Sequence, residues 1–228
     1  MRYLIWAYDY SHASAGPKAL HRLCHELNEA GQEAYIGNGY ATNPEWNTPH
    51  GIMRPGTVAI YPEIVTGNPW SASRVVRWVL NVPGKLGGDK VYDPSEIVFS
   101  WDMRFLDGVP LLHLPAIEAD IYTDRHEPRS GALYYVGKGI TSQEVDARPV
   151  TLAMREDRYA LADALNRAAL LYSFDDCTAM VDIALLCGCP VEIIPTGQSI
   201  EPDAYREEYM AKCAEFPAQL ARLIEMTA

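Results

Sequence analysis

The segment 170–195, LLYSFDDCTAMVDIALLCGCPVEIIP, has the residue types and spacing of a phosphate-binding turn between a strand and a helix. Asp175 and Asp176 follow an apolar strand, and either can cap the next helix. We expect Thr178 in the first helical turn, and Asp182 lies four residues later on the same face. The positive helix end attracts phosphate oxygens, and a carboxylate one turn in can accept hydrogen bonds from ribose hydroxyls. The segment predicts a nucleotide diphosphate site; a capped strand–helix–strand unit with a solvated aspartate is the alternative.

A second candidate lies earlier in the chain, where Gly137-Lys138-Gly139 follows a predicted strand over 132–136. Glycines at such a turn let the backbone approach a ligand closely. On its own, this tripeptide also fits a glycine turn with an exposed lysine. Because the 170–195 segment follows it, we favour a ligand site.

These candidates need a scaffold, and the chain predicts alternating strands and helices throughout. The first half predicts strands over 3–8, 33–36, 57–61, 96–101 and 111–114, and helices over 17–30 and 71–80. The second half predicts strands over 132–136, near 149–152, over 170–173 and over 191–194, and helices over 155–168, 177–187 and from 202 onward. This order is typical of an α/β fold with mostly parallel sheets.

The predicted elements divide into two Rossmann-like domains, because strand–helix–strand units begin both halves of the chain. The stretch 120–131 between them is polar and marks the boundary. The sequence therefore predicts domains over 1–124 and 125–228.

Composition and charge narrow the function classes. The chain has 228 residues, of which 48% are hydrophobic and 21% are charged, as in globular proteins. Its net charge of −11 disfavours a nucleic acid partner, since such a surface repels a phosphate backbone. The apolar runs are shorter than the roughly 20 residues that span a bilayer, and we see no signal-peptide pattern. We therefore expect a cytoplasmic location.

No disulfide framework or metal site is predicted. The five cysteines match no usual disulfide or zinc spacing, which favours buried thiols in a reducing compartment; they are Cys24, Cys177, Cys187, Cys189 and Cys213. His21 and His25 share a helix face, but no third ligand is evident. The metal-binding pattern Asp-x-Asp does not occur.

The 170–195 segment resembles the donor-site signature of GT-B glycosyltransferases, in which an acidic residue precedes a small-residue helix that ends in Gly-x-Pro-Val. The matching positions are Asp182, Ala184, Gly188, Pro190 and Val191. The run 134–139 resembles the first strand and loop of the family's donor domain, and 114–122 resembles its interdomain linker. The resemblance implies a minimal GT-B fold, with two domains facing across a cleft, and a sugar donor of the UDP or GDP type.

The resemblance also assigns roles to residues. A basic residue that neutralises the leaving diphosphate is implied at Lys138, with Arg129 as a further candidate, and the helix start adds its amides. A second acid near the donor sugar is implied at Asp175 or Asp176, and Gly16 occupies the family's glycine loop near the reacting centre. The implied donor-binding set is Gly16, Arg129, Gly137, Lys138, Asp175, Asp176, Cys177, Thr178, Ala179 and Asp182.

Glu63 and Asp102 are the candidate general bases, because they follow the third and fourth predicted strands at the edge where ligands bind. Glu63 ranks first, while Asp9 and His12 are weaker candidates. With Lys138 they form the predicted catalytic set. A retaining enzyme needs no such base, so the stereochemistry stays open.

The predicted function is metal-independent transfer of a sugar from a nucleotide diphosphate to an acceptor hydroxyl, on a glycan rather than a nucleic acid. The alternative is a non-catalytic nucleotide-sugar-binding subunit, or a degenerate transferase that docks a partner. An epimerase or dehydrogenase is disfavoured because 14–16 offers a single glycine. The sugar, the nucleotide base, the acceptor and homo-oligomerisation stay open.

Overall fold

The chain forms two compact α/β units in a computed structural model that describes residues 1–138 and 143–228. The first unit comprises Met1–Ala116 and Lys212–Ala228, and the second comprises Ile117–Ala211. The sequence-based domain limits, 1–124 and 125–228, stay a prediction. Within the described ranges, no helix has the length and hydropathy needed to cross a membrane.

The first unit contains a five-stranded sheet in which all neighbouring strands run parallel. Its strands are β1 (Arg2–Ile5), β2 (Glu33–Ile36), β3 (Val58–Pro62), β4 (Arg74–Val79) and β5 (Ile97–Ser100). Helix α1 (Ala15–Glu29) connects β1 to β2 and buries Leu20, Leu23 and Leu27. The spatial order β2-β1-β3-β4-β5 reverses between β1 and β3. Ligands bind beyond the carboxyl ends of the strands at such a reversal.

The second unit contains another five-stranded sheet, with the order β10-β9-β8-β6-β7. Its strands are β6 (Ala132–Tyr135), β7 (Arg148–Pro149), β8 (Leu170–Ser173), β9 (Val191–Ile193) and β10 (Gln198–Ile200). Helices α2 (Leu152–Glu156) and α3 (Arg158–Arg167) precede β8, and α4 (Ala179–Leu186) follows it. Only β10 is antiparallel to its neighbour. Both units thus have α/β architecture with mostly parallel sheets, as predicted.

The last helix, α5 (Tyr205–Thr227), contributes its second half to the first unit. Phe216, Leu220 and Leu223 join the core cluster around the first sheet, and each buried side chain of this size contributes about 1.5–3 kcal/mol. At the end of the helix, the Thr227 hydroxyl shares a buried hydrogen bond of 2.6 Å with the Tyr3 hydroxyl. The helix therefore completes the core of the first unit.

The helix predicted over 71–80 is wrong, because the region forms strand β4. Val75, Trp78 and Val79 lie at helical spacing, which suggested the helix. However, every residue from Val75 to Val79 is buried, since β4 lies between two strands and is covered on both faces. A strand of that kind reads as one continuous apolar run, and its three β-branched valines favour the extended backbone.

Other elements differ in detail from the prediction. The predicted strand over 111–114 is reduced to one isolated bridge, between Ser100 and Leu111. The helix predicted over 155–168 is divided at Asp157, whose carboxylate caps α3 by accepting bonds from the N–H groups of Tyr159 and Ala160. Strand β10 was not predicted.

Candidate functional site

The two candidate segments of the second unit meet where its strand order reverses, between β6 and β8. These strands are parallel neighbours, and Tyr135 and Ser173 are partners at their carboxyl ends. Gly137-Lys138 follows one strand, and Asp175 to Ala179 follow the other. The fold thus brings both segments to the sheet edge at which ligands bind in such domains.

Asp175 links the two segments directly. Its carboxylate is buried, with the residue 3% exposed. Oδ2 accepts a hydrogen bond of 3.0 Å from the Lys138 backbone N–H, and Oδ1 accepts one of 3.0 Å from the Cys177 backbone N–H. The buried Ser173 hydroxyl donates to the Asp175 carbonyl at 2.8 Å, which fixes the same turn from the β8 side.

Gly137 is the residue that lets the loops approach each other. Its φ of +58° lies in the left-handed region that favours glycine. A Cβ at this position would lie 2.6 Å from Asp175 Oδ2 and 2.6 Å from Tyr135 Cε1. Position 137 therefore excludes any side chain as long as the Asp175 carboxylate stays in place.

Helix α4 starts later than predicted. It begins at Ala179, and Thr178 is the N-cap in an extended conformation, so the prediction of Thr178 in the first turn is wrong. The Thr178 hydroxyl accepts a hydrogen bond of 3.2 Å from the Met180 N–H. In the described ranges, the N–H groups of Thr178 and Ala179 have no hydrogen-bond partner. Both residues are half-buried, and their N–H groups, at the positive helix end, can donate to an anion.

Lys138 and Asp176 are exposed charged residues at the β6–β8 junction, by which we mean the carboxyl ends of β6 and β8 and the segments that follow them. Only the backbone N–H of Lys138 is bound to Asp175; its ammonium group has no hydrogen bond or ion pair within 1–138 and 143–228. Gly139 lies outside the described residues. The ammonium group is therefore placed to meet an anionic ligand from solvent.

Asp182 is a half-buried residue of the first turn of α4. Its Oδ1 accepts a hydrogen bond from the hydroxyl of Tyr205, the first residue of α5. The sequence analysis did not identify Tyr205, since 23 positions separate the two residues and no local pattern connects them.

Arg129 does not join this group. It precedes β6, on the opposite edge of the sheet, and its guanidinium group bonds to Leu165, Ala168 and Cys187 carbonyl oxygens at 2.9, 3.3 and 2.6 Å. It also bonds to the Asp124 carboxylate at 2.8 Å. These contacts tie the ends of α3 and α4 to the start of the unit, which is a structural role.

The chain matches no protein-family model, and it matches no curated protein. In the parts of the chain that the structure describes, no group of three or more His, Cys, Asp or Glu residues is arranged to hold a metal ion.

The remaining predicted residues lie in the first unit. Gly16 is in the first turn of α1, and a Cβ there would meet no atom within 4 Å. Glu63 follows β3 and is 3% exposed, and its Oε2 accepts a hydrogen bond of 2.9 Å from the Leu80 N–H. Its carboxylate is therefore already a hydrogen-bond acceptor for the end of β4.

Asp102 follows β5 and is held by Arg104. Its carboxylate accepts bonds from the Arg104 backbone N–H at 2.9 Å and from its Nε and Nη2 at 3.0 Å each. Burial alone would raise the pKa of Asp102, but these hydrogen bonds outweigh it and lower the pKa below its usual value. A carboxylate with a lowered pKa is ionised but is a weaker base.

The weaker candidates at the end of β1 are also engaged. Asp9 Oδ1 accepts bonds from the backbone N–H groups of Tyr40 and Ala41, which lower the pKa of Asp9. His12 Nδ1 is 3.1 Å from the Tyr10 hydroxyl. Both residues thus stabilise the loop that follows β1.

Proposed function

We propose that this chain is a metal-independent glycosyltransferase that binds a nucleotide-diphosphate sugar at the β6–β8 junction of its second unit. The observation that carries the proposal is the pair of 3.0 Å hydrogen bonds that Asp175 accepts from the Lys138 and Cys177 amides. These bonds join the turn at Gly137-Lys138, which we call the lysine loop, to the segment before α4. The two-domain GT-B arrangement expected from the sequence is part of this proposal.

The pyrophosphate would be held by three kinds of positive group. The N–H groups of Thr178 and Ala179 donate to its oxygens, the dipole of α4 adds its positive end, and the Lys138 ammonium group neutralises charge. As the bond to the sugar breaks, negative charge grows on the leaving diphosphate. Groups fixed in advance stabilise that charge, and removing one such donor typically costs about 10²–10³ in turnover.

The ribose and the sugar would contact the two remaining acids. An ionised carboxylate has about four acceptor positions, so Asp182 can keep the Tyr205 bond and still accept from ribose hydroxyls. The exposed Asp176, next to the buried Asp175, is the acid that we propose contacts the donor sugar. The donor is of the UDP or GDP type in this proposal, so its base is uracil or guanine.

Glu63 is the preferred general base for an acceptor hydroxyl on a glycan. Such a base accepts the hydroxyl proton as the oxygen attacks the sugar carbon. Asp102 is the weaker candidate because its lowered pKa disfavours proton uptake.

A second function is favoured by the surroundings of both candidate bases. Glu63 is 3% exposed and accepts a hydrogen bond from the Leu80 amide, and Asp102 accepts three hydrogen bonds from Arg104. A chain that binds a nucleotide sugar without transferring it fits that observation, so the non-catalytic subunit is kept as the alternative.

Calorimetry with UDP and GDP, together with a donor-hydrolysis assay, tests the proposal. We expect one of the two nucleotides to bind, and Lys138→Ala to weaken binding about tenfold, the effect of losing one hydrogen bond to a charged group. Lys90→Ala is the matched control, since Lys90 is an exposed lysine of the first unit. Failure of both nucleotides to bind would overturn the proposal, and binding without hydrolysis or transfer would favour the alternative.

A further inference from the structure

The Asp175 carboxylate is a buried group of the candidate site, and its contacts are with the backbone. It is 3% exposed, and one oxygen faces the Lys138 amide while the other faces the Cys177 amide. The resemblance to GT-B enzymes had assigned an acid in this region to the donor sugar. Because both carboxylate oxygens of Asp175 accept hydrogen bonds from backbone N–H groups, the side chain connects the lysine loop to the segment that precedes α4.

We infer that Asp175 is a positioning residue, which fixes Lys138 against the start of α4 so that both grip one pyrophosphate. This inference rests on the proposed function of the site. Hydrogen bonds from backbone amides to a charged carboxylate are stronger than those between neutral groups, and burial shields them from water. The two hydrogen bonds to Asp175 therefore hold the lysine loop in place before a ligand binds.

Gly137 supports the same reading from the other side of the contact. A methyl group at position 137 would lie 2.6 Å from Asp175 Oδ2 and 2.6 Å from Tyr135 Cε1, so any side chain there collides with the carboxylate and with the Tyr135 ring. The left-handed φ of +58° and the close approach together require glycine.

Gly131 provides a matched control for this steric effect. It lies at the other end of β6, and its φ of +64° resembles that of Gly137. A Cβ on Gly131 would meet no atom within 4 Å. Gly131→Ala therefore introduces the backbone strain alone, whereas Gly137→Ala introduces the strain and the collisions with Asp175 and Tyr135.

The test uses inorganic pyrophosphate and UDP or GDP as probes, with the binding nucleotide also offered as its glucose conjugate. A positioning role predicts that Asp175→Asn weakens all three by the same factor, about tenfold or more. Asparagine has an NH₂ group in place of one carboxylate oxygen, so one of the two N–H groups loses its acceptor. Contact with the donor sugar would instead weaken only the sugar conjugate. That result would overturn the inference.

A double-mutant cycle supplies the second readout. If Asp175 acts through Lys138, Lys138→Ala has little further effect on pyrophosphate affinity once Asp175→Asn is present. Independent, additive losses in the folded double variant would contradict the inference. If Asp175→Asn does not fold, the pyrophosphate affinities of Gly137→Ala and Gly131→Ala are compared instead. Equal affinities of these two variants would overturn the positioning role.

Failure of the proposed function is distinguishable from failure of this inference. An unmodified chain that binds neither nucleotide nor pyrophosphate removes the site itself. An unmodified chain that binds them, with Asp175→Asn folded and equal in affinity, removes only the positioning role.

Discussion

Arg77 and Glu96 form a bidentate ion pair inside the first unit, with Nε to Oε2 at 2.9 Å and Nη2 to Oε1 at 3.0 Å. The Arg77 side chain is fully buried, and that of Glu96 is 8% exposed. The three remaining guanidinium N–H groups donate to the carbonyls of Pro62, Val65 and Gly67 at 3.4, 2.6 and 2.8 Å. One central strand residue thus organises the loop that follows Glu63.

Breaking this pair should destabilise the first unit strongly. Glu96→Gln leaves a buried guanidinium charge without its counter-charge, which costs about 3–5 kcal/mol in the free energy of unfolding. Urea unfolding followed by tryptophan fluorescence measures this unit selectively, because all five tryptophans lie in it. The control is Glu33→Gln, which breaks the ion pair of Arg2 with Glu33, whose side chain is 68% exposed, and should change stability by less than about 1 kcal/mol. Equal effects of the two substitutions would contradict the prediction.

The first unit should also lose stability as the pH falls below about 6.5, the ordinary pKa of histidine. Burial lowers the pKa of His21, and this outweighs the hydrogen bond that its Nε2–H donates to the Tyr8 carbonyl at 2.9 Å. Nearby Asp9 raises the pKa of His21 and His50 lowers it. Since the folded pKa lies below the unfolded one, the unfolded chain takes up a proton first, and acidification favours unfolding.

Unfolding free energies at pH 7.5, 6.5 and 5.5 check this expectation. His21→Gln should flatten the loss of stability between pH 6.5 and 5.5, as should His113→Gln, because burial also lowers the pKa of His113. His126→Gln is the control, as His126 lies in the second unit and its side chain is 87% exposed. The role assigned to burial is refuted if all three variants keep the slope of the unmodified chain.

Asp182 should bind ribose and not phosphate. Asp182→Ala is expected to lower the affinity for UDP or GDP while leaving that for inorganic pyrophosphate unchanged, since pyrophosphate has no ribose. Tyr205→Phe should give a smaller loss in the same direction, because the Tyr205 hydroxyl orients the carboxylate. Tyr209→Phe is the matched control: its hydroxyl bonds to the Ile117 carbonyl at 3.1 Å. Calorimetry with both probes would exclude the ribose role if pyrophosphate binding fell as well.

Arg129→Ala should destabilise the second unit without changing donor affinity, because four acceptors of that unit would lose their partner. The unit has no tryptophan, so thiol labelling is the measurement. Burial raises the pKa of Cys187 and of Cys189 to about 12, which leaves both thiols unreactive in the folded unit. We expect faster labelling of both in Arg129→Ala. Arg167→Ala, at an arginine 64% exposed, should label like the unmodified chain.

The sequence was most informative where one physical rule decides the outcome. Parallel strands place their carboxyl ends at one edge, so the meeting of Gly137-Lys138 with the loop after β8 was predictable from strand order alone. Spacing does not reveal whether a carboxylate faces solvent or backbone, so the burial of Asp175 was not predictable. Strand β4 was missed because Val75, Trp78 and Val79 fit helical periodicity and a doubly covered strand equally well.

The first unit is assembled from two stretches of chain that are separated by the whole of the second. Phe216, Leu220 and Leu223 belong to its core, but they are synthesised after residues 117–211. During synthesis the core of the first unit therefore stays incomplete until these residues are added. The second unit is one continuous stretch of chain and contains all of its own residues once residue 211 is synthesised. Residues 1–116 are thus synthesised before the second unit, but their core is completed after it.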